Sequence, residues 1–149
     1  MDVNYGGVVR VVKAALPAML DRGTGEVVVF ASLAGWMPTP SLGAYSATKH
    51  ALVAFCEVLS HELRDTGLAV ACVCPPLVDT PMIRQLEDGG VTSHRKITPL
   101  APEVVIDAVE RALAAGDLFV FPGRGTKAMV RTRRLAPAAL WKLLDRQMD

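Results

Sequence analysis

Aromatic side chains are scarce in this sequence: two Trp, two Tyr and four Phe make up 5% of its 149 residues. Binding of single-stranded nucleic acid relies on aromatic platforms for the bases, so the composition argues against a nucleic-acid partner. Long apolar runs are missing too. Each hydrophobic stretch is interrupted by Gly, Pro or a charge before the roughly 20 residues that a membrane-spanning helix requires. Met1 is followed at once by Asp2, which is not how a secretory leader starts. Cysteine is limited to Cys56, Cys72 and Cys74. The last two would share one face of a strand, a poor geometry for a mutual disulfide. All three read as small buried hydrophobes in a reducing compartment, and the expected location is the cytoplasm. No metal site is expected. The cysteines have no fourth soft ligand nearby, and neither His50 nor His61 has a histidine partner four residues away.

What is present is apolar material for one globular core, with 51% hydrophobic residues. Val8, Val9, Val12, Ala15, Leu16 and Met19 fall at helical spacing and predict a helix over residues 3–20, kinked or stopped early at Pro17. Residues 26–31 are a short valine-rich run, as in a parallel strand covered on both faces. Residues 33–42 predict a loop, 43–64 a long helix and 68–74 a second buried strand. Residues 83–100 are polar, carry Gly89, Gly90 and His94, and predict a mobile lid. A helix over 102–115 opening on Pro102 and a strand over 118–121 complete the series. Helix-strand-helix-strand-helix-strand predicts an α/β fold, a parallel sheet covered by helices, amounting to about half of a doubly wound nucleotide fold.

Charge divides the chain. Residues 1–123 hold 9 basic and 13 acidic side chains, a balance of −4, and residues 124–149 hold 7 and 2, a balance of +5. The basic run is Arg124, Lys127, Arg131, Arg133 and Arg134. Behind it Leu140, Trp141, Leu143, Leu144 and Met148 predict an amphipathic helix. Such a tail is most often a solvated face. Weak contact with an anionic membrane surface or a partner subunit is the functional alternative.

Chemistry concentrates between Ser32 and Lys49. Tyr45 and Lys49 are four residues apart on a predicted helix, which places them on one face about 5–6 Å apart. A free phenol titrates near ~10; a cation beside it favours the phenolate and brings it toward the working range of a general acid or base. Ser32, thirteen residues before the tyrosine, is placed to hydrogen-bond the oxygen that gains or loses the proton. Ser32 and the Pro75–Thr80 segment both follow strand ends, where ligand sites of such sheets lie.

Several stretches occur together in a familiar order: Asn4 followed by Gly6-Gly7, Leu16-Pro17, Gly25-Glu26-Val27-Val28, Ser32-Leu33-Ala34-Gly35, Tyr45-Ser46-Ala47-Thr48-Lys49, Glu62-Leu63, and Pro75 through Met82. Over residues 1–122 the sequence resembles the short-chain dehydrogenases/reductases. The resemblance implies a Rossmann-like sheet, of which this would be the carboxyl-terminal half, and hydride transfer between a nicotinamide cofactor, NAD or NADP, and a carbonyl or alcohol. It implies that Tyr45 exchanges the proton, that Lys49 holds the nicotinamide ribose and lowers the tyrosine's pKa, and that Ser32 orients the substrate oxygen. Asn4 would support a water in a proton relay to Lys49. Pro75, Val78 and Thr80 would meet the nicotinamide, and the two long helices would form a homodimer or tetramer interface.

Two departures stand out. Pro76 occupies a position where the family commonly has glycine. No glycine-rich turn between a strand and a helix, the family's pyrophosphate site, occurs in the sequence. The expectation is therefore a catalytic portion, residues 1–122, of a longer enzyme, with residues 123–149 as a basic tail. The rival expectation is a non-catalytic dimerisation module derived from such an enzyme.

Overall fold

Two six-residue strands run side by side at the centre of the molecule: β1, Gly25–Phe30, and β2, Leu68–Val73. The computed structural model describes residues 1–38, 40–88, 98–138, 141 and 142. β1 and β2 pair in parallel from Gly25 opposite Leu68 to Phe30 opposite Val73. A short β3, Phe119–Val120, adds in parallel to the other side of β2, so the order is β1-β2-β3. The expected third strand over 118–121 is thus shortened to two residues.

Helices cover both faces. On one side lie α1, Val8–Arg22, and α2, Gly43–Glu62. Val12, Leu52, Cys56 and Leu59 pack there against Val29, Val70, Cys72 and Cys74. On the other side α4, Pro102–Ala115, packs Val105, Val109 and Ala112 against Ala71, Val73 and Val120. Successive residues of β2 therefore point into opposite cores, which is why its sequence is continuously apolar rather than alternating. Cys56, Cys72 and Cys74 are free thiols, all fully buried.

Three sequence expectations need correction. Pro17 does not stop the first helix, which runs on to Arg22. Pro17 sits on the exposed side, where water can satisfy the one carbonyl it leaves unpaired, while Leu16 and Met19 anchor the helix on the core. The helix ends where Gly23 takes a left-handed conformation, φ 67°, and donates to the carbonyls of Met19 and Leu20. Second, the expected lid over 83–100 begins as a helix, α3, Pro81–Asp88. The Thr80 carbonyl accepts from Ile83 and Arg84, and an Arg84–Asp79 ion pair at 2.9 Å braces the turn. Residues 89–97, including His94, lie outside the described residues.

Third, the basic run beyond Arg124 is itself helical. It forms α5, Thr126–Leu135, held by buried Thr126 and Val130. Of the amphipathic stretch expected behind it, Trp141 and Lys142 are helical, and Leu140, Leu143, Leu144 and Met148 lie outside the described residues. None of the described helices is long and apolar enough to cross a membrane.

Candidate active site

Ser32 follows β1 in extended conformation and caps a short 3₁₀ turn, Leu33–Gly35, its Oγ accepting from the Ala34 N–H at 3.1 Å. The turn is pinned on three sides. The Leu33 N–H donates to the Pro75 carbonyl at 2.8 Å, joining the chain beyond β1 to the chain beyond β2. Trp36 Nε1 donates to the Cys74 sulfur at 3.3 Å, and its ring meets Phe119 edge-on at 5.0 Å. Gly35 lies flat against α2; a Cβ there would fall 2.7 Å from the Lys49 carbonyl oxygen.

Tyr45 and Lys49 occupy the first turns of α2. Lys49 Nζ sits 5.7 Å from the centre of the Tyr45 ring and donates to the Phe30 carbonyl at 2.9 Å. The ammonium is thus held between the phenol and the end of β1, at the same strand end as Ser32. Burial pushes the Lys49 pKa down. Hydrogen bonds with Cys56 and Cys74, together with burial, push the Cys72 thiol up.

Asn4 belongs to a π-helical turn, Asp2–Gly7, ahead of α1. Its position inside the turn rules out the capping role that asparagine often fills, since the cap is Met1. Asn4 Nδ2 donates to Thr48 Oγ1 at 3.3 Å, and Thr48 Oγ1 in turn donates to the Tyr45 carbonyl at 2.7 Å. Asn4 therefore reaches α2 through Thr48, the residue before Lys49. Single-turn π-helical insertions often accompany functional sites.

The segment after β2 forms the other wall. Val78 pairs with Leu100 through Asp79 N–H to Leu100 O at 2.8 Å and Leu100 N–H to Leu77 O at 2.9 Å. In such a pairing alternate peptides turn opposite ways, so Val78's own N–H and C=O face away from Leu100. Pro75 contributes the carbonyl that receives Leu33, and Thr80 opens α3. A phenol beside an ammonium can donate a proton to a carbonyl oxygen.

Thr48, Trp36 and Cys74 each organise this corner, a part that the sequence did not assign to them. Thr48 could have been noticed as a β-branched hydroxyl three residues after Tyr45, a spacing at which it bonds back to its own helix. The Trp36–Cys74 pair, 38 residues apart, leaves no local signal.

A family model for the short chain dehydrogenases matches residues 1–90 of the chain. The chain belongs to the short-chain dehydrogenases. It is 32% identical to a zebrafish (Danio rerio) dehydrogenase/reductase of the SDR family, member 7B, over 97% of this chain and 48% of that one. An NAD-dependent oxidoreductase of Mycobacterium tuberculosis shares 48% identity over 56% of this chain and 30% of its own length. Among solved structures, a Burkholderia cenocepacia short-chain dehydrogenase in complex with NADP superposes with a TM-score of 0.80 at 25% identity, covering 97% of this chain and 56% of that one. A Burkholderia phymatum enzyme in complex with NAD gives 0.76 at 26% identity, with 92% and 57% covered. The chain spans 30–57% of the length of these proteins. Its three-stranded parallel sheet with helices is the Rossmann-like arrangement of these structures.

Proposed function

We propose that residues 1–122 carry the catalytic half of an oxidoreductase that uses NAD or NADP to interconvert an alcohol and a carbonyl, with residues 123–149 as a basic tail. The observation that carries this reading is the Lys49 ammonium held beside Tyr45 at the strand end that also presents Ser32. The binding of NADP and NAD by similar dehydrogenases supports the choice of cofactor class. When bound, the nicotinamide supplies or takes up the hydride. Tyr45 Oη gives its proton to the oxygen of the carbonyl being reduced, or takes it back in the reverse direction. Lys49 Nζ keeps positive charge beside the phenol and binds the ribose hydroxyls. Ser32 Oγ fixes the substrate oxygen, and Asn4, tied to α2 through Thr48, supports a water that returns a proton toward Lys49. Pro75, Val78 and Thr80 border the nicotinamide, Val78 through its free peptide edge. A second copy of the chain packs on the outer faces of α1 and α2, where Val11 and Val58 are exposed.

The non-catalytic dimerisation module remains the second reading, favoured by the lack of the family's pyrophosphate turn after a first strand: the glycine pair that does lie between a strand and a helix, Gly123 and Gly125 ahead of α5, follows the last described strand. The two readings are separated by nicotinamide mononucleotide, which needs no pyrophosphate turn. At millimolar concentration it is expected to shift the NMR signals of Lys49, Val78 and Thr80. Shifts confined to other surfaces, or none, favour the module. For the same reason the 149-residue chain is expected to bind NADH and NADPH only weakly. Micromolar affinity by calorimetry contradicts that expectation, because the helix-terminus contacts that hold a pyrophosphate would then have to come from this chain.

A further inference from the structure

The proposed chemistry makes no use of α5 and the loop before it. Arg124, Lys127, Arg131 and Arg134 are all exposed there, and none forms an ion pair with another described residue. The helix is fixed to the body by buried Thr126 and Val130, with Thr126 Oγ1 donating to the Pro122 carbonyl at 2.8 Å. Helical periodicity then directs Lys127, Arg131 and Leu135 outward on one face. Leu135 is 85% exposed and Met129, at the flank, is 37% exposed. Cations that serve solubility alone have no need of an uncovered leucine among them.

We propose that this face of α5 docks on an anionic lipid surface, its cations on the headgroup phosphates and Leu135 in the interfacial layer. Charge complementarity supports the choice. The tail carries +5 against −4 for residues 1–123, so the molecule is polarised and a negative surface attracts it tail-first. The mixture of apolar and basic groups separates a lipid interface from an acidic protein, for which charge suffices. Nucleic acid is a poorer fit because α5 holds no aromatic residue. The contact is weak and reversible, as suits a helix of ten residues.

Co-sedimentation with vesicles tests this on the full chain. Binding is expected to vesicles of phosphatidylglycerol mixed with phosphatidylcholine, to fall as salt rises, and to be absent with phosphatidylcholine alone. Reversing three charges together, Lys127→Glu, Arg131→Glu and Arg134→Glu, is expected to weaken partition by roughly a hundredfold. Leu135→Ser is expected to weaken it several-fold while an unchanged circular-dichroism melt shows an intact fold. The proposal is overturned if the wild-type chain ignores anionic vesicles or if the charge-reversed variant binds as the wild type does. It is also overturned, in favour of an acidic macromolecule, if Leu135→Ser changes nothing and polyglutamate displaces the vesicles.

Discussion

Tyr45→Phe, placed in a polypeptide that carries this chain and turns over a carbonyl with NADH or NADPH, is expected to lower kcat by about 10²–10⁴-fold, the range for loss of a positioned general acid. The substitution removes one oxygen. The ring that Lys49 Nζ faces at 5.7 Å remains, as does the Lys49 bond to the Phe30 carbonyl, so cofactor affinity is expected to stay within a few-fold of wild type. The split between kcat and affinity is informative because a folding defect moves both together. Burial works against the charged form of Lys49, and the bond to the Phe30 carbonyl helps to hold the ammonium beside the phenol. Turnover measured alongside cofactor titration checks the expectation; retention of most of the activity removes Tyr45 from the proposed role.

Gly35→Ala is expected to destabilise the fold and loosen the Ser32 turn together. The added Cβ would stand 2.7 Å from the Lys49 carbonyl oxygen and 2.9 Å from Val53 Cγ2. The first of these neighbours is helix backbone, which cannot swing aside as a flexible side chain can. Overpacking of this kind costs about 1–3 kcal/mol, which for a chain of this size lowers Tm by roughly 3–9 °C. The strain falls between Ser32 and Lys49, so the turn must lift away from α2. A thermal melt checks this; a Tm within a degree of wild type means that the turn has another place to go.

The parts of the molecule that could be read from sequence are those governed by local periodicity. β2, Leu68–Val73, announces itself because both its faces are covered and its sequence shows no polar alternation. β1, Gly25–Phe30, is legible from its valines although it is not covered on both faces as expected, Glu26 and Phe30 being exposed. Tyr45 and Lys49 are legible for the same reason, since one helical turn brings positions four apart onto one face. What escaped depends on partners far along the chain. Pro17 looks like a breaker until Leu16 and Met19 are seen anchored on the core and the proline turned to water. The polar composition at 83–88 conceals a helix because the Asp79–Arg84 pair and the Thr80 carbonyl that start it lie outside that stretch or at its edge. Asn4 shows itself as helix-start chemistry, yet its amide reaches Thr48, 44 residues away.

Hydride transfer is proposed to take place at the end of β1, where Ser32 and the Tyr45–Lys49 pair lie. The most direct measurement supplies a polypeptide containing this chain with a dinucleotide deuterated at the transferable nicotinamide position and a panel of aldehydes and ketones, then locates the deuterium by mass spectrometry. Label is expected on the carbinol carbon of at least one product, and none when Tyr45→Phe is used with dinucleotide still bound. A protein that binds the dinucleotide and forms unlabelled alcohol, or labels its product equally well without the Tyr45 hydroxyl, contradicts this expectation.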